Sequence, residues 1–198
     1  MTNARFTEDA RIGPLASARM VFARQKAFAE HALDQLSDEQ FFTAIAPGLN
    51  SPAVIVQHLA GNLISRWTDF LTSDGEKPTR DRDAEFEAPH PAPAERGALR
   101  STLMQRWELG WQTLFETLDA LDEADLSRTV TIRMVEHSVA LAIVRQLDHY
   151  AFHVGQLNVI ARFMVGTANW KWFTLPPGGT GAFNAAVAAR SRSGGSSS

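Results

Sequence analysis

Three histidines in this 198-residue chain combine the residue type and the spacing that metal chemistry requires. His149 and His153 are four residues apart, so on a helix their imidazoles lie one turn apart on the same face and can reach one cation. The apolar residues around this pair indicate that the face points toward the interior, where unpaired imidazoles are costly. His58 also lies in a largely apolar segment. The three residues together therefore indicate a site for a divalent metal ion.

A plainer interpretation of the same residues stays open. Histidines at positions i and i+4 also occur by chance on exposed helix faces, and a single histidine such as His58 is more often a hydrogen-bonded core residue than a ligand. The remaining histidines, His31, His90 and His137, lack comparable neighbours. We do not assign them to the site.

A site of three histidines has a specific chemical consequence. Three neutral imidazoles would leave a divalent cation with its full charge and one open coordination position, as in catalytic sites, whereas a closed structural site needs a fourth protein ligand. Such an ion lowers the pKa of a bound water or thiol toward neutrality and creates a nucleophile without a nucleophilic side chain. Because the chain has no cysteine, a thiol nucleophile would have to come from a small molecule.

Polar residues near the histidines are candidates for substrate binding, and they are Asn62, Arg66, Arg145 and Gln156. The first two follow His58 at one and two helical turns, and the other two flank the HxxxH pair on the same side. The arginines could hold a substrate carboxylate through two parallel hydrogen bonds. Alternatively, they form ion pairs with Asp69, Asp148 or carboxylates of the neighbouring loop.

Four segments have the apolar spacing of amphipathic helices and would position these residues. They are residues 14–36, 54–71, 94–121 and 139–164. Ser51 followed by Pro52 is typical of a helix start, and Ser138 can cap the last helix. Residues 127–138 alternate apolar and polar side chains, which favours a short β-hairpin. We therefore predict an all-α protein, a four-helix bundle with a short β-hairpin before its last helix.

The second and third predicted helices are separated by a charged, proline-rich segment, residues 72–95. Its prolines interrupt any helix, so the segment is predicted to be a long crossover loop. A loop of this length is unusual in a compact domain and is either a linker or a functional element. Its low serine content favours a functional role.

Composition limits the classes of function and of partner. With 19 Lys and Arg against 22 Asp and Glu, the net charge of −3 and the scattered arginines argue against nucleic acid as a partner. The absence of cysteine excludes disulfides and Cys-ligated zinc or iron–sulfur sites. We find neither a signal-peptide core nor an apolar run long enough to span a membrane, so we expect a cytoplasmic protein that does not bind membranes.

The length of the chain predicts one domain, residues 1–186, followed by a disordered tail, residues 187–198. The aromatic segment from Trp170 to Phe173 is expected to be exposed and to favour self-association. A homodimer is therefore predicted.

Several motifs resemble those of the DinB/YfiT-like superfamily of metalloenzymes, and of one uncharacterised subgroup within it. The motifs are HLAGN at 58–62, SRWTDFL at 65–71, DGEKP at 74–78, Arg80 with Arg82-Asp83 and Glu85-Phe86, and HYxxHVGQ at 149–156. The resemblance extends over nearly the whole chain from the second predicted helix onward. The chain departs from the subgroup at Thr79, where an aromatic residue is expected, and this departure concerns the packing or specificity of the loop.

The resemblance implies a four-helix bundle in which His58, His149 and His153 converge on a divalent metal. It does not indicate whether the metal is zinc, nickel, manganese or iron. Relatives in the superfamily are transferases and isomerases that use a low-molecular-weight thiol. The resemblance therefore implies a metal-dependent transferase or hydrolase that acts on a small molecule. The alternative is a non-catalytic, stress-associated dimeric protein in which the ion only links the second and fourth helices.

Overall fold

Residues 12–193 are described by the computed structural model, and this range is mostly helical. Its helices are α1 (Pro14–Leu33), α2 (Asp38–Phe42), α3 (Pro52–Trp67), α4 (Arg96–Ala120), α5 (Val139–Val165) and α6 (Thr180–Ser193). Its strands, β1 (Thr129–Ile132) and β2 (Val135–Ser138), form the predicted antiparallel hairpin, with Thr129 opposite Ser138 and Ile132 opposite Val135. None of the helices in this range has both the length and the apolar character needed to cross a bilayer.

The two helices that carry the candidate histidines begin at the serine caps expected from the sequence. The Ser51 hydroxyl accepts a hydrogen bond from the Val54 N–H at 3.3 Å, with Pro52 in the first turn of α3. The Ser138 hydroxyl accepts the Leu141 N–H of α5 at 3.1 Å. Because these caps satisfy N–H groups that would otherwise lack partners, they define where each helix starts and on which turn each histidine lies.

Large aromatic side chains fill the core between α1, α3, α4 and α5. Helix α1 packs along α5, α3 packs along α4, and α3 also contacts α5. The ring of the fully buried Phe22 lies 6.0 Å from that of Trp67 and 5.7 Å from that of Tyr150. Trp67 donates its indole N–H to the Tyr150 hydroxyl, which in turn donates to Asn62. This chain of hydrogen bonds satisfies the buried polar groups and ends at a residue of the candidate site.

Two predicted helix ends are wrong, and two helices, α2 and α6, were not predicted. Helix α1 stops at Leu33 instead of residue 36, and a capping box of Ser37 and Gln40 starts the separate helix α2. Helix α3 ends at Trp67 instead of residue 71, because Thr68 is extended and Asp69 has a left-handed φ of 49°. The unpredicted α6 includes residues 187–193 of the expected tail, and residues 194–198 lie outside the described range.

The aromatic segment that follows α5 is not exposed as expected, because it packs against α1. Trp170 is buried, and its ring contacts that of His31. The His31 imidazole is hydrogen-bonded to the Lys171 carbonyl at 2.6 Å, and Phe173 stacks on Phe28. Self-association was predicted because this segment was expected to be exposed, and that expectation is wrong.

Asp74, in the loop after α3, holds the hairpin in place. Its carboxylate accepts hydrogen bonds from the backbone N–H groups of Arg133 at 2.8 Å and Met134 at 2.7 Å. These residues form the turn between the strands, and both have positive φ, 54° and 60°, a conformation that hairpin turns usually reserve for Asn and Gly. The bonds to Asp74 offset the strain of this turn.

We predict that Asp74→Ala lowers the free energy of unfolding by about 2 kcal/mol at neutral pH, because charged hydrogen bonds to the turn are lost. Burial alone would raise the pKa of Asp74, but the N–H donors of Glu76, Met134 and Arg133 outweigh it and lower the pKa to about 2. The stabilisation is therefore complete above the unfolded pKa of about 4 and disappears as the pH falls through 2. Urea denaturation should show that the variant loses less stability than the wild type between pH 4 and pH 2.

The matched control is Asp83→Ala, which removes a carboxylate that is 99% exposed. This variant should unfold like the wild type at both pH values. Equal urea midpoints for Asp74→Ala and Asp83→Ala at neutral pH would contradict the role of Asp74.

Candidate metal centre and cavity

The structure brings His58, His149 and His153 together, although they lie on two helices. His58 on α3 and His153 on α5 are buried, and His149 is half-buried. The Nε2 atoms of His58 and His149 are 3.3 Å apart, and the ring centroids of His153 lie 5.0 Å from His58 and 4.8 Å from His149. The prediction that these three histidines converge is therefore confirmed.

Glu85, from the crossover loop, orients the imidazole of His58. Its Oε2 atom lies 2.9 Å from the Nδ1 atom of His58 and accepts a hydrogen bond from Nδ1–H, which leaves the Nε2 lone pair free toward the other histidines. Arg80 holds the same carboxylate through two hydrogen bonds, Nε to Oε1 at 2.7 Å and Nη2 to Oε2 at 2.6 Å. Burial alone would raise the pKa of Glu85, but Arg80 and His58 outweigh it and lower the pKa below its usual range.

The carboxylate of Glu85 reaches His58 only because α3 has a glycine beside it. A Cβ atom on Gly61 would lie 2.0 Å from Oε1 of Glu85 and 2.6 Å from its carboxyl carbon. Gln57 anchors the same loop by donating to the Ala84 carbonyl at 2.9 Å. The expectation that residues 72–95 contribute to the site agrees with these contacts.

A chain of charged groups continues from this carboxylate to the hairpin. Arg80 also binds Glu76 at 3.0 Å, and Glu76 accepts a hydrogen bond from Arg133 in the turn at 3.2 Å. Because positive and negative groups alternate from Arg133 to His58, each buried charge has a partner. Hydrogen bonds thereby connect the hairpin to His58.

The two histidines of α5 are held as neutral imidazoles. Gln156 accepts a hydrogen bond from Nδ1 of His153 at 2.9 Å, which leaves Nε2 of that ring as the free nitrogen. Burial, together with the neighbouring histidines, lowers the pKa of His149 to about 3. Burial and His58 also lower the pKa of His153 to about 4, although Gln156 opposes the shift. Both rings therefore carry lone pairs at neutral pH, the form that binds metals.

The donor set fits a divalent ion. The ligand atoms of the three histidines all lie within 4.8 Å of one another, and the 3.3 Å between the two Nε2 atoms equals the separation of about 3.3 Å expected for two nitrogens bound tetrahedrally to one ion. Between residues 12 and 193, no fourth histidine or carboxylate joins this group. Glu85 is already bound by Arg80 and His58, so it orients a ligand instead of acting as one.

A cavity of about 410 Å³ opens beside the histidines and is lined by His58, His149 and five arginines. The arginines are Arg66, Arg80, Arg82, Arg133 and Arg145, and Asp148 is the acidic residue of the lining. A cavity of this size is typical of small-molecule sites. Its positive lining favours ligands with negative charge.

The four candidate substrate-binding residues do not all lie at this cavity. Asn62, Arg66 and Arg145 line it, whereas Gln156 contacts His153 and lines a different cavity. The alternative ion pairs with Asp69 and Asp148 are absent among the described residues: Arg66 has no carboxylate partner, and Arg145 donates to Nε2 of His137. Burial lowers the pKa of Arg66, although Tyr150 and Glu76 oppose this shift.

Sequence reasoning missed the roles of Glu85, Arg80, Arg82, Arg133 and Gln146. A run of charged residues in a loop is usually a solvated surface, so the sequence provides no reason to place these side chains in a site. Helical periodicity also gives no information about contacts between a loop residue and a helix. The available signal was the Arg80, Arg82-Asp83 and Glu85-Phe86 pattern, which mixes charged residues with a lone aromatic residue in an otherwise polar loop.

A family model described as "Protein of unknown function (DUF1572)" matches residues 13–179. The chain belongs to the DUF1572 family. The matched range contains every residue of the histidine cluster and of the arginine-lined cavity. A search of curated proteins found no significant match. The family description names no activity, so the site of this DUF1572 chain has to be interpreted from its chemistry.

We predict that Gly61→Ala destabilises the DUF1572 fold by roughly 3 kcal/mol, because the new methyl group displaces Glu85 and separates buried charges. Gly155→Ala is the matched control, since Gly155 also lies within a helix but a Cβ atom added to it would meet no neighbouring side chain or element within 4 Å. This second variant should instead gain about 1 kcal/mol from helix propensity. Urea denaturation of both variants tests the prediction, and equal stability changes would contradict the packing of Glu85 on Gly61.

Proposed function

We propose that this DUF1572 protein is a metal-dependent enzyme, a transferase or hydrolase that acts on a small molecule. The observation that carries this proposal is the convergence of His58, His149 and His153 beside an arginine-lined cavity. A divalent cation held there would supply a positive charge that lowers the pKa of a water or thiol and polarises a substrate oxygen. Zinc, nickel, manganese and iron all accept imidazole ligands, so the donor set leaves the metal open.

The residues of the chain have separate tasks in this proposal. Glu85 and Gln156 hold protons at the Nδ1 atoms of His58 and His153, so that both rings present Nε2. Phe86 covers the His58 ring, with centroids 4.5 Å apart, and limits the access of water from the loop side. Asn62 and Arg66 are the substrate-binding groups on α3, and Arg145 is the one on α5.

The finer assignment extends the resemblance to the DinB/YfiT-like superfamily. In this proposal α1, α3, α4 and α5 are its four-helix bundle, the domain spans residues 1–186, and a low-molecular-weight thiol is the cosubstrate. The absence of cysteine supports an external thiol. We also propose that the protein is a cytoplasmic homodimer whose partners do not include nucleic acid or membranes.

A non-catalytic role is the second candidate, and one feature favours it. The histidines come from α3 and α5, so an ion bound to them would link two helices of the core and stabilise the fold without reacting. The two candidates differ in whether a small molecule can reach the ion.

We predict that protein purified without a histidine tag binds about one divalent ion per chain, and that His58→Ala, His149→Ala and His153→Ala each abolish binding because two imidazoles are too few. Elemental analysis after dialysis measures this. His90→Ala, which removes an exposed loop histidine, is the control and should retain the metal. Unchanged metal content in all three cluster variants would reject the site.

The enzyme and the non-catalytic role are separated by substituting cobalt and recording its ligand-field spectrum. Under the enzyme proposal, small thiols or azide should change the visible bands of the cobalt protein, because the open coordination position is accessible from the cavity. A spectrum that no thiol, azide or cyanide perturbs would reject the enzyme and support the linking role.

A further inference from the structure

Arg66 is a buried cation for which residues 12–193 supply no ion-pair partner. Only 5% of the residue is exposed, yet its Nε and Nη1 atoms donate to no hydrogen-bond acceptor, and it forms no ion pair within the described chain. Buried charges are almost always paired, because their transfer out of water is costly without compensation. The guanidinium therefore has unused binding capacity.

The side chain of Arg66 is held in place before any ligand arrives. It lies against the loop that follows α3, where a Cβ atom on Gly75 would be 2.9 Å from its Cδ and 3.0 Å from its Nε. Glu76, the carboxylate that acts on the pKa of Arg66, is already bound to Arg80 and Arg133. A rigid group with unsatisfied donors is preorganised for a ligand, because little conformational entropy is lost on binding.

Polar groups around Arg66 complete one wall of the cavity. The Tyr150 hydroxyl already donates a hydrogen bond to Oδ1 of Asn62, so Asn62 can bind a ligand through its Nδ2 donor. Gln146 is also buried and lines the cavity, and none of the described residues donates a hydrogen bond to its Oε1 atom. Arg145 contacts an imidazole nitrogen instead of a carboxylate, so its charge is not balanced by an ion pair. Among the described residues, neither Arg66 nor Arg145 is in an ion pair, although Asp148 also lines the cavity.

The helix places these donors at a defined distance from the histidines. His58, Asn62 and Arg66 follow one another at four-residue intervals on α3, and all three line the cavity. At 1.5 Å per residue, the Cα atoms of His58 and Arg66 are about 12 Å apart along the axis. A small molecule can therefore contact Arg66 with one end while its other end faces the histidine cluster.

We propose that Arg66 anchors an acidic group of the substrate, a carboxylate or a phosphate, with Asn62 and Arg145 as further contacts. The substrate class is then a small organic acid or a phosphate ester whose reactive group faces His58, His149 and His153. This substrate class rests on the proposed function. The anion site itself does not, because it is built from residues that need no metal.

The test measures the binding of inorganic phosphate, succinate and neutral succinamide by isothermal titration calorimetry. Wild-type protein should bind at least one of the two anions and not succinamide, and the tighter anion identifies the acidic group. Arg66→Gln should weaken that anion roughly 10- to 100-fold, because a charged hydrogen-bonding partner is lost. Arg106→Gln is the control with the same charge change on the exposed surface of α4 and should alter the affinity by less than about twofold.

Stability gives a second readout that a structural role of Arg66 would not produce. Arg66→Met removes an uncompensated buried charge, so the Tm of the anion-free protein should stay the same or rise by roughly 3 °C. Phosphate or succinate should raise the Tm of the wild type and leave that of Arg66→Met unchanged. A large fall in Tm, or failure of either Arg66 variant to fold, would assign the residue to the fold and overturn the proposal.

The anion site and the metal site can fail separately in this experiment. His149→Ala should lose the metal and still bind the anion, whereas Arg66→Gln should keep the metal and lose the anion. Equal anion affinities in the wild type and Arg66→Gln would overturn the anion site and leave the metal proposal intact. A third outcome is that the wild type contains no metal while only Arg66→Gln loses the anion. That result would reject the proposed enzyme and support the anion site.

Discussion

The carboxylate of Glu85 lies in the interior, and the arrangement of the site follows from the partners that this buried charge requires. Arg80 binds both of its oxygens, and His58 donates a hydrogen bond from Nδ1–H to one of them. Breaking a buried pair is costly, because the remaining charge is left without compensation. The crossover loop must therefore return to α3 at Gly61, and His58 must present its Nε2 atom toward α5. One interaction thus positions the loop, selects the tautomer of a histidine and explains a glycine in a helix.

Arg66 and Arg80 lie on the same cavity, but they have opposite surroundings. Arg80 is paired with two carboxylates, and this pairing, which outweighs the effect of burial, raises its pKa. Arg66 is also buried, but no residue in the described part of the chain accepts a hydrogen bond from its Nε or Nη1 atom. Proteins retain such destabilising groups chiefly where function needs them, and the rest of the fold must offset the cost. Here the fully buried Trp67, Trp107 and Trp111 supply large apolar surfaces in the core.

The hairpin is a small element with a large influence on the cavity. Its turn has positive φ at two residues without the usual Asn or Gly, and Asp74 supplies the acceptors that hold it. Arg133 in that turn then lines the cavity and reaches Glu76. Because Glu76 also binds Arg80, a continuous series of hydrogen-bonded charged groups connects the hairpin to Glu85 and His58. The hairpin, the loop and α3 therefore form one connected wall.

The sequence by itself determined the features that depend on local spacing. His149 and His153 share a helix face because four residues make about one turn, and Ser51 and Ser138 cap their helices through neighbours three residues away. The tertiary structure alone decided the features that depend on contacts between distant segments. The sequence did not indicate that Glu85 would reach His58, that Arg66 would lack a partner, or that Trp170 would be covered by α1, because each outcome depends on how the segments pack. Periodicity predicts which face of a helix is buried, but a buried charge is satisfied or left unsatisfied only by the residues that the fold brings to it.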